Sequence, residues 1–257
     1  MTAVKEEIRS EIASLVARRA EHQRTETRWR APLVGFASAA DPLFVQFRTV
    51  VSPSHSLPEE LLPGAGTVIA FFLPFEPWVA QSNVAGKIPA REWAVAYIET
   101  NELISEVCAH MKGFLEARGH VVFTTPATHN VDTKKLMSDW SHRHVAFAAG
   151  LGTFGLNNML ITRQGCCGRI GSCITTAALA PDTRPAEEAC LHRRGRPCAR
   201  CVERCVNDAL FEDRFDRKAC YSMCLENGAA LRELGKADVC GKCVVGLPCS
   251  FSVPAPT

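Results

Sequence analysis

Apolar residues recur along the first two thirds of the chain in two alternating rhythms. Ile8, Ile12, Leu15 and Val16 return at helical spacing among lysines, arginines and glutamates, which predicts an amphipathic helix over residues 4–20. Pro32-Leu-Val-Gly-Phe-Ala-Ser-Ala reads as a short strand entering a loop, and Pro63-Gly-Ala-Gly is a turn that feeds a buried strand, Thr67–Leu73. From Trp93 to Arg118 the helical period returns, with Ile104, Val107, Cys108, Met111, Phe114 and Leu115 on one face and Gly119 placed to end the helix. Val121–Phe123 is the next strand. A helix from Ser141 breaks at Gly150-x-Gly152-x2-Gly155 and leads into strands Met159–Thr162 and Ile174–Ala177. This alternation, sustained to about residue 180, predicts a sheet inside an α/β layer fold.

The glycine spacing matches the dinucleotide-binding fingerprint, but that fingerprint needs a strand before the glycines and a helix after them. Here the order is reversed. Two readings remain: a helix stop with a tight turn, or a glycine-rich backbone surface pressed against a flat cofactor.

The rhythm gives way to cysteines. Nine of the thirteen lie between Cys190 and Cys249, so residues 1–182 read as one domain and 183–257 as a second. Their order is Cys190, Cys198-x2-Cys201-x3-Cys205, Cys220, Cys224, and Cys240-x2-Cys243-x5-Cys249. Two C-x2-C pairs in a chain without a secretory signal point to metal ligation, because thiols in a reducing compartment rarely form structural disulfides. Nine thiols exceed what one tetrahedral zinc needs. Cys201-x3-Cys205 has the spacing of the third and fourth ligands of a ferredoxin run, in which the fourth crosses to the other cluster, and Cys243-x5-Cys249 is a stretched form of the same step. If Cys205 and Cys249 cross, one [4Fe–4S] cluster takes Cys190, Cys198, Cys201 and Cys249. The other takes Cys205, Cys220, Cys240 and Cys243, and Cys224 is spare. Zinc sites are the alternative: Val206 stands where a proline normally follows the crossing cysteine, and Cys190 lies eight residues before Cys198 rather than three.

Of the other four cysteines, Cys108 reads as a core residue, while Cys166, Cys167 and Cys173, three in eight residues, read as packing or redox-neutral thiols or, as the alternative, a third metal site. Cys108 lies on an apolar helical stripe. Cys166 and Cys167, being adjacent, point in different directions in an extended chain, and Cys173 follows close behind.

Composition narrows the partners. Of 257 residues, 47% are hydrophobic and 22% charged, with a net charge of +2, so there is no electrostatic footprint that argues for nucleic acid. The amino terminus lacks the apolar core of a signal peptide, and no apolar run approaches the roughly 20 residues of a membrane helix. A cytoplasmic protein without a membrane partner is expected. Asp139, next to Trp140, is the candidate proton donor if apolar surroundings raise its pKa, the alternative being a cap on the following helix. His142, Arg143 and His144 either meet a bound cofactor or form a solvated helix face.

Together, Ala149-Gly-Leu-Gly-Thr-Phe-Gly-Leu-Asn-Asn, the Pro63-Gly-Ala-Gly strand entry and the eight-cysteine pattern resemble the epoxyqueuosine reductase family, whose iron–sulfur proteins are similar to corrinoid-dependent reductive dehalogenases. The resemblance implies an α/β (α+β) amino-terminal domain of the nitroreductase-like, corrinoid-binding type, followed by a ferredoxin-like domain with two [4Fe–4S] clusters. It also implies one-electron transfer through the clusters to a base-off cobalamin, with a carboxylic acid near the corrin supplying a proton. Arg143, Gly150, Gly152 and Gly155 then become cofactor-binding candidates. A ferredoxin or flavodoxin would be the electron donor, and the substrate a small or protein-bound molecule. Against the family pattern, an Arg-Asp-Tyr-His segment is replaced by Arg91-Glu92-Trp93-Ala94, and the position of the family's acid is Leu136, with Asp132 and Asp139 nearby but out of register. The carboxy-terminal helical extension of many queuosine enzymes has no counterpart after Cys249. An electron carrier that docks another protein and binds no corrinoid is the alternative function.

Overall fold

The computed structural model describes residues 2–22, 25–125, 131–132 and 135–255, with backbone alone at positions 2, 22, 131 and 132. The chain opens with helix α1 (Thr2–His22), strand β1 (Leu33–Ser38) and two short helices, α2 (Leu43–Val50) and α3 (Pro58–Leu61). Strand β2 (Thr67–Pro74), helix α4 (Pro77–Ser82) and the long helix α5 (Arg91–Glu116) come next. Strands β3 (Val122–Thr124), β4 (Val131–Asp132) and β5 (Met137–Ser138) precede helix α6 (His142–Ala148). Three strands follow, β6 (Gly152–Phe154), β7 (Leu160–Thr162) and β8 (Gly168–Thr175), and then the cysteine-rich segment with helices α7 (Arg200–Glu203) and α8 (Arg217–Ala230).

The main sheet runs β1-β2-β8-β3 and every pairing in it is antiparallel, with Ile69 opposite both Phe36 and Cys173. All eight residues of β2 are buried, because helices cover both faces of the sheet. Successive β2 side chains therefore enter opposite cores. Ile69, Phe71 and Leu73 meet Ile8, Ile12 and Val16 of α1 and Leu103, Ile104 and Val107 of α5. Val68 and Ala70 face Phe44 and Phe47 of α2, Trp140, and Val145 of α6. The layered architecture is the one expected, while the antiparallel sheet makes it α+β. The first core continues into the cysteine-rich segment through Cys190, Val244 and Val245.

Helix α5 ends where Gly119 was placed to end it: that residue has φ +82, and the His120 amide reaches back to the Leu115 carbonyl. Two strand expectations need correction. β8 begins at Gly168, six residues before the predicted start at Ile174. Gly168 and Gly171 give no strand signal of their own because rings of β2 occupy the space their side chains would take. A Cβ at Gly171 would fall 2.4 Å from the Phe71 ring, and one at Gly168 2.6 Å from the Phe72 ring. The glycine-rich stretch, for which a tight turn or a backbone surface against a flat cofactor is expected, contains a strand: β6 pairs with β7 in a small separate sheet.

Among the described residues, no helix is long and apolar enough to cross a membrane.

Candidate iron–sulfur and substrate site

The nine carboxy-terminal cysteines converge from four pieces of chain. Cys190, Cys198, Cys201 and Cys249 line one narrow cavity together with Gly155, Asn157 and Ile161. Burial pushes the Cys201 thiol up to about 12, and the neighbouring thiols that reinforce the shift are Cys249, Cys190 and Cys198. The other four, Cys205, Cys220, Cys240 and Cys243, share a second cavity of about 270 Å³. Burial again raises Cys243, followed by the charges of Cys220, Cys240 and Cys205, with Cys201 a weaker neighbour across the divide. Cys166 and Cys224 line the second cavity as well, so it brings six thiols together where the spacing counts four. Among the described residues, no three His, Cys, Asp or Glu side chains converge at the spacing of a single-ion site.

The Cys240–Cys243 loop is clamped from the amino-terminal layers. Asn83 donates through Nδ2 to the Cys240 carbonyl at 2.9 Å, and Asn157 donates to the Cys243 carbonyl at 2.8 Å. Lys242, only 1% exposed, points the opposite way and donates through Nζ to the carbonyls of Asn83 (3.0 Å) and Ala85 (2.8 Å). Burial lowers the pKa of its ammonium, partly offset by Cys240. Local sequence pattern does not record these clamps, since each pairs residues about 80 or more positions apart.

Cys224 is spare in the count yet not remote. It lies one turn after Cys220 on α8 and donates a hydrogen bond that lowers the Cys220 thiol to about 7, with Arg143 assisting. Both sulfurs also line a larger cavity of about 570 Å³, walled by Tyr97, Leu136, Ser138, Ser141, Arg143 and His144 on one side and by Phe215, Arg217, Tyr221, Lys236 and Asp238 on the other. Tyr97, Phe215, Cys220, Cys224 and Asp238 belong to both cavities, so the second cysteine set opens directly onto this space.

Arg143 is part of this wall. Its guanidinium donates to the Asn158 carbonyl at 2.6 Å, and burial followed by the nearby Arg217 lowers its pKa. His144 and His142 are not on a solvated face. The His144 ring lies tilted against Phe154 with centroids 4.6 Å apart, pairs with Ser141 Oγ at 2.8 Å, and is held by burial at a pKa of about 4, so it is neutral near pH 7. His142 Nδ1 lies 2.8 Å from Ser172 Oγ.

Asp139 lacks the apolar surroundings expected for it. Its neighbour Trp140 turns into the core at 2% exposure, which leaves Asp139 exposed, accepting a hydrogen bond from Ser54. Nor does it cap α6, whose N-cap is Ser141. The side chain of Asp132 lies outside the described residues. Leu136, at the position of the family's acid, adopts φ +53 and lines the 570 Å³ cavity, where the carboxylate in the wall is Asp238.

The three glycines separate. Gly150 and Gly152 border a different, open groove and are required by backbone packing: a Cβ at Gly150 would stand 2.7 Å from Thr183 O, and one at Gly152 2.2 Å from Ile161 O. Gly155 borders the first cysteine set. Cys166 and Cys167 are buried, with their sulfurs near the Val244 carbonyl at 3.8 and 3.0 Å; Cys166 also lines the second cysteine cavity, and Cys108 approaches the Ser172 carbonyl at 3.7 Å.

No protein-family profile matches the chain, and no curated protein matches it in sequence. Solved structures do match. Their class is that of epoxyqueuosine reductases and reductive dehalogenases, whose fold this chain shares. Epoxyqueuosine reductase from Bacillus subtilis, solved with its aspartate-bearing catalytic loop swung out of the active site, superposes with a TM-score of 0.62 at 17% identity over 99% of this chain and 67% of its own. The Streptococcus thermophilus enzyme gives 0.59 at 17% identity over 98% and 68%. A catabolic reductive dehalogenase in complex with 3-bromo-4-hydroxybenzoic acid gives 0.56 at 14% identity over 87% of this chain and 30% of its own. The chain therefore spans about two thirds of the length of these epoxyqueuosine reductases and under a third of the dehalogenase.

Proposed function

We propose that this chain is a cytoplasmic iron–sulfur reductase. Its carboxy-terminal domain, residues 183–257, binds two [4Fe–4S] clusters and delivers electrons to a corrinoid or small organic substrate in the 570 Å³ cavity. The observation that carries this reading is that Cys190, Cys198, Cys201 and Cys249 line one cavity, while Cys205, Cys220, Cys240 and Cys243 line another, together with Cys166 and Cys224, that shares its wall with the 570 Å³ space. When bound, the clusters supply one-electron transfer and a corrinoid supplies a low-potential centre, chemistry that belongs to the cofactors.

The chain's own residues position and shield. Asn83, Asn157 and Lys242 fix the backbone that presents Cys240 and Cys243, so the ligands are held without reorganisation. Arg143, Arg217 and Lys236 place positive charge on the cavity wall, suited to an anionic edge of the bound molecule. Tyr97, Phe215 and Tyr221 offer ring surface to a flat one. Asp238, within the wall, is better placed than Asp139 to hold a proton for the bound molecule, and the Tyr97 and Tyr221 hydroxyls are further donors. The neutral His144 supports Ser141 and leaves the positive charge to the arginines. A reduced ferredoxin or flavodoxin is the proposed electron source.

Protein purified without oxygen and mixed with reduced cobalamin is expected to give the absorption spectrum of the base-off form and to retain the corrinoid through gel filtration. Loss of all corrinoid would contradict the corrinoid reading and favour an electron carrier, a role with which the apolar Leu136 at the family's acid position is compatible.

A further inference from the structure

We propose that the indole N–H of Trp93 donates a hydrogen bond to the iron–sulfur cluster held by Cys205, Cys220, Cys240 and Cys243, and so raises that cluster's reduction potential. This rests on the two-cluster reading above.

Trp93 is 5% exposed, and its Nε1 is buried with no hydrogen-bond partner. A buried indole N–H normally finds an acceptor. The two other buried tryptophans do: Trp29 donates to Thr100 Oγ1 at 2.9 Å and Trp140 to Ser172 Oγ at 3.0 Å. The unmet donor is also in a defined place. Phe75 fixes the ring edge-on, with centroids 5.3 Å apart and planes at 84°. The nitrogen edge lies against Gly241, inside the Cys240-Gly-Lys-Cys243 loop, where a Cβ would fall 2.4 Å from Nε1, Cε2 and Cζ2. Gly241 has φ +74, so the loop's turn and the approach of the indole both require a glycine. Trp93 lines the cavity that the four cysteines share.

The site is therefore built to bring one N–H to the sulfurs of a group that fills that cavity. Such a bond strengthens as negative charge on sulfur grows, so it favours the reduced state and raises the potential. The geometry assigns the effect to one cluster, since the first cysteine set lines a separate cavity that Trp93 does not border.

Trp93→Phe keeps most of the ring and removes the donor. By redox titration followed by electron paramagnetic resonance, the equilibrium constant for reducing one cluster should fall about three- to tenfold. That is roughly 30–60 mV at 59 mV per tenfold for one electron. The other cluster's potential and the iron content should not change. Two unchanged potentials at full iron content would overturn the inference.

A second measurement needs no substitution. Wild-type protein grown on tryptophan labelled with ¹⁵N in the indole should show ¹⁵N coupling to one reduced cluster in pulsed resonance, and absence of coupling to either cluster would overturn the inference. Wild-type protein with no cluster signal at all would instead overturn the two-cluster reading and this inference with it, a result distinct from intact clusters that ignore Trp93.

Discussion

Replacing Cys201 by serine is expected to remove about four of about eight iron atoms per chain, the content of one [4Fe–4S] cluster out of two. Cys201 lines its cavity with Cys190, Cys198 and Cys249, and a serine hydroxyl is not a thiolate at neutral pH. The loss should not stop cleanly at one cluster. Cys243 of the other set feels the charge of Cys201, and the carbonyl of Cys249 accepts from the Cys166 amide at 3.1 Å, so the two halves share their supports. The remaining cluster should be present yet lost faster to a chelator. Cys224→Ser is the matching control. Cys224 belongs to neither set, and iron content should stay at the wild-type value. Full iron in the Cys201 variant would contradict the assignment of ligands.

Lys242→Met is expected to destabilise the protein by about 2–3 kcal/mol, the order of the cost of leaving buried hydrogen-bonding groups without their partner. Methionine matches the length of the stem but leaves the carbonyls of Asn83 and Ala85 without their donor in a site that is 1% open to solvent. For a chain of this size, the melting temperature of anaerobic protein should fall by roughly 4–12 °C, from about 2–4 °C per kcal/mol. Because Lys242 lies between Cys240 and Cys243, iron should also leave more readily. Lys218→Met, on an exposed position of α8, should change neither quantity. A Lys242 variant as stable as wild type would mean that the loop is held by Asn83 and Asn157 alone.

Much of the architecture was legible because it is written in local periodicity. α1, β2 and α5 each carry an apolar rhythm that one kind of element can use, and Gly119 stops α5 with a conformation that glycine adopts at little cost. The grouping of the cysteines rests on spacing, because metal ligation limits how far apart ligands can lie along the chain. What the sequence hid is contact between distant residues. The strand order β1-β2-β8-β3 brings residues 67–74 beside 168–175, and no local pattern records that choice. Gly168 and Gly171 read as loop because the rings that fill their space belong to β2. Asp139 and Trp140 were read together, yet adjacent residues point to opposite sides and only the tryptophan is buried. Lys242, a surface-type cation, and Trp93, at the head of the long helix, acquire these contacts only when the two ends of the chain meet.

The central claim is that eight cysteines hold two four-iron clusters beside a reductive cavity. Iron and acid-labile sulfide analysis of anaerobically reconstituted protein, joined to Mössbauer spectroscopy, tests it most directly. About eight iron and about eight sulfide per chain, in tetrahedral sulfur sites of the four-iron type, is the result predicted. Fewer than about four iron per chain, with zinc bound in their place, would contradict it.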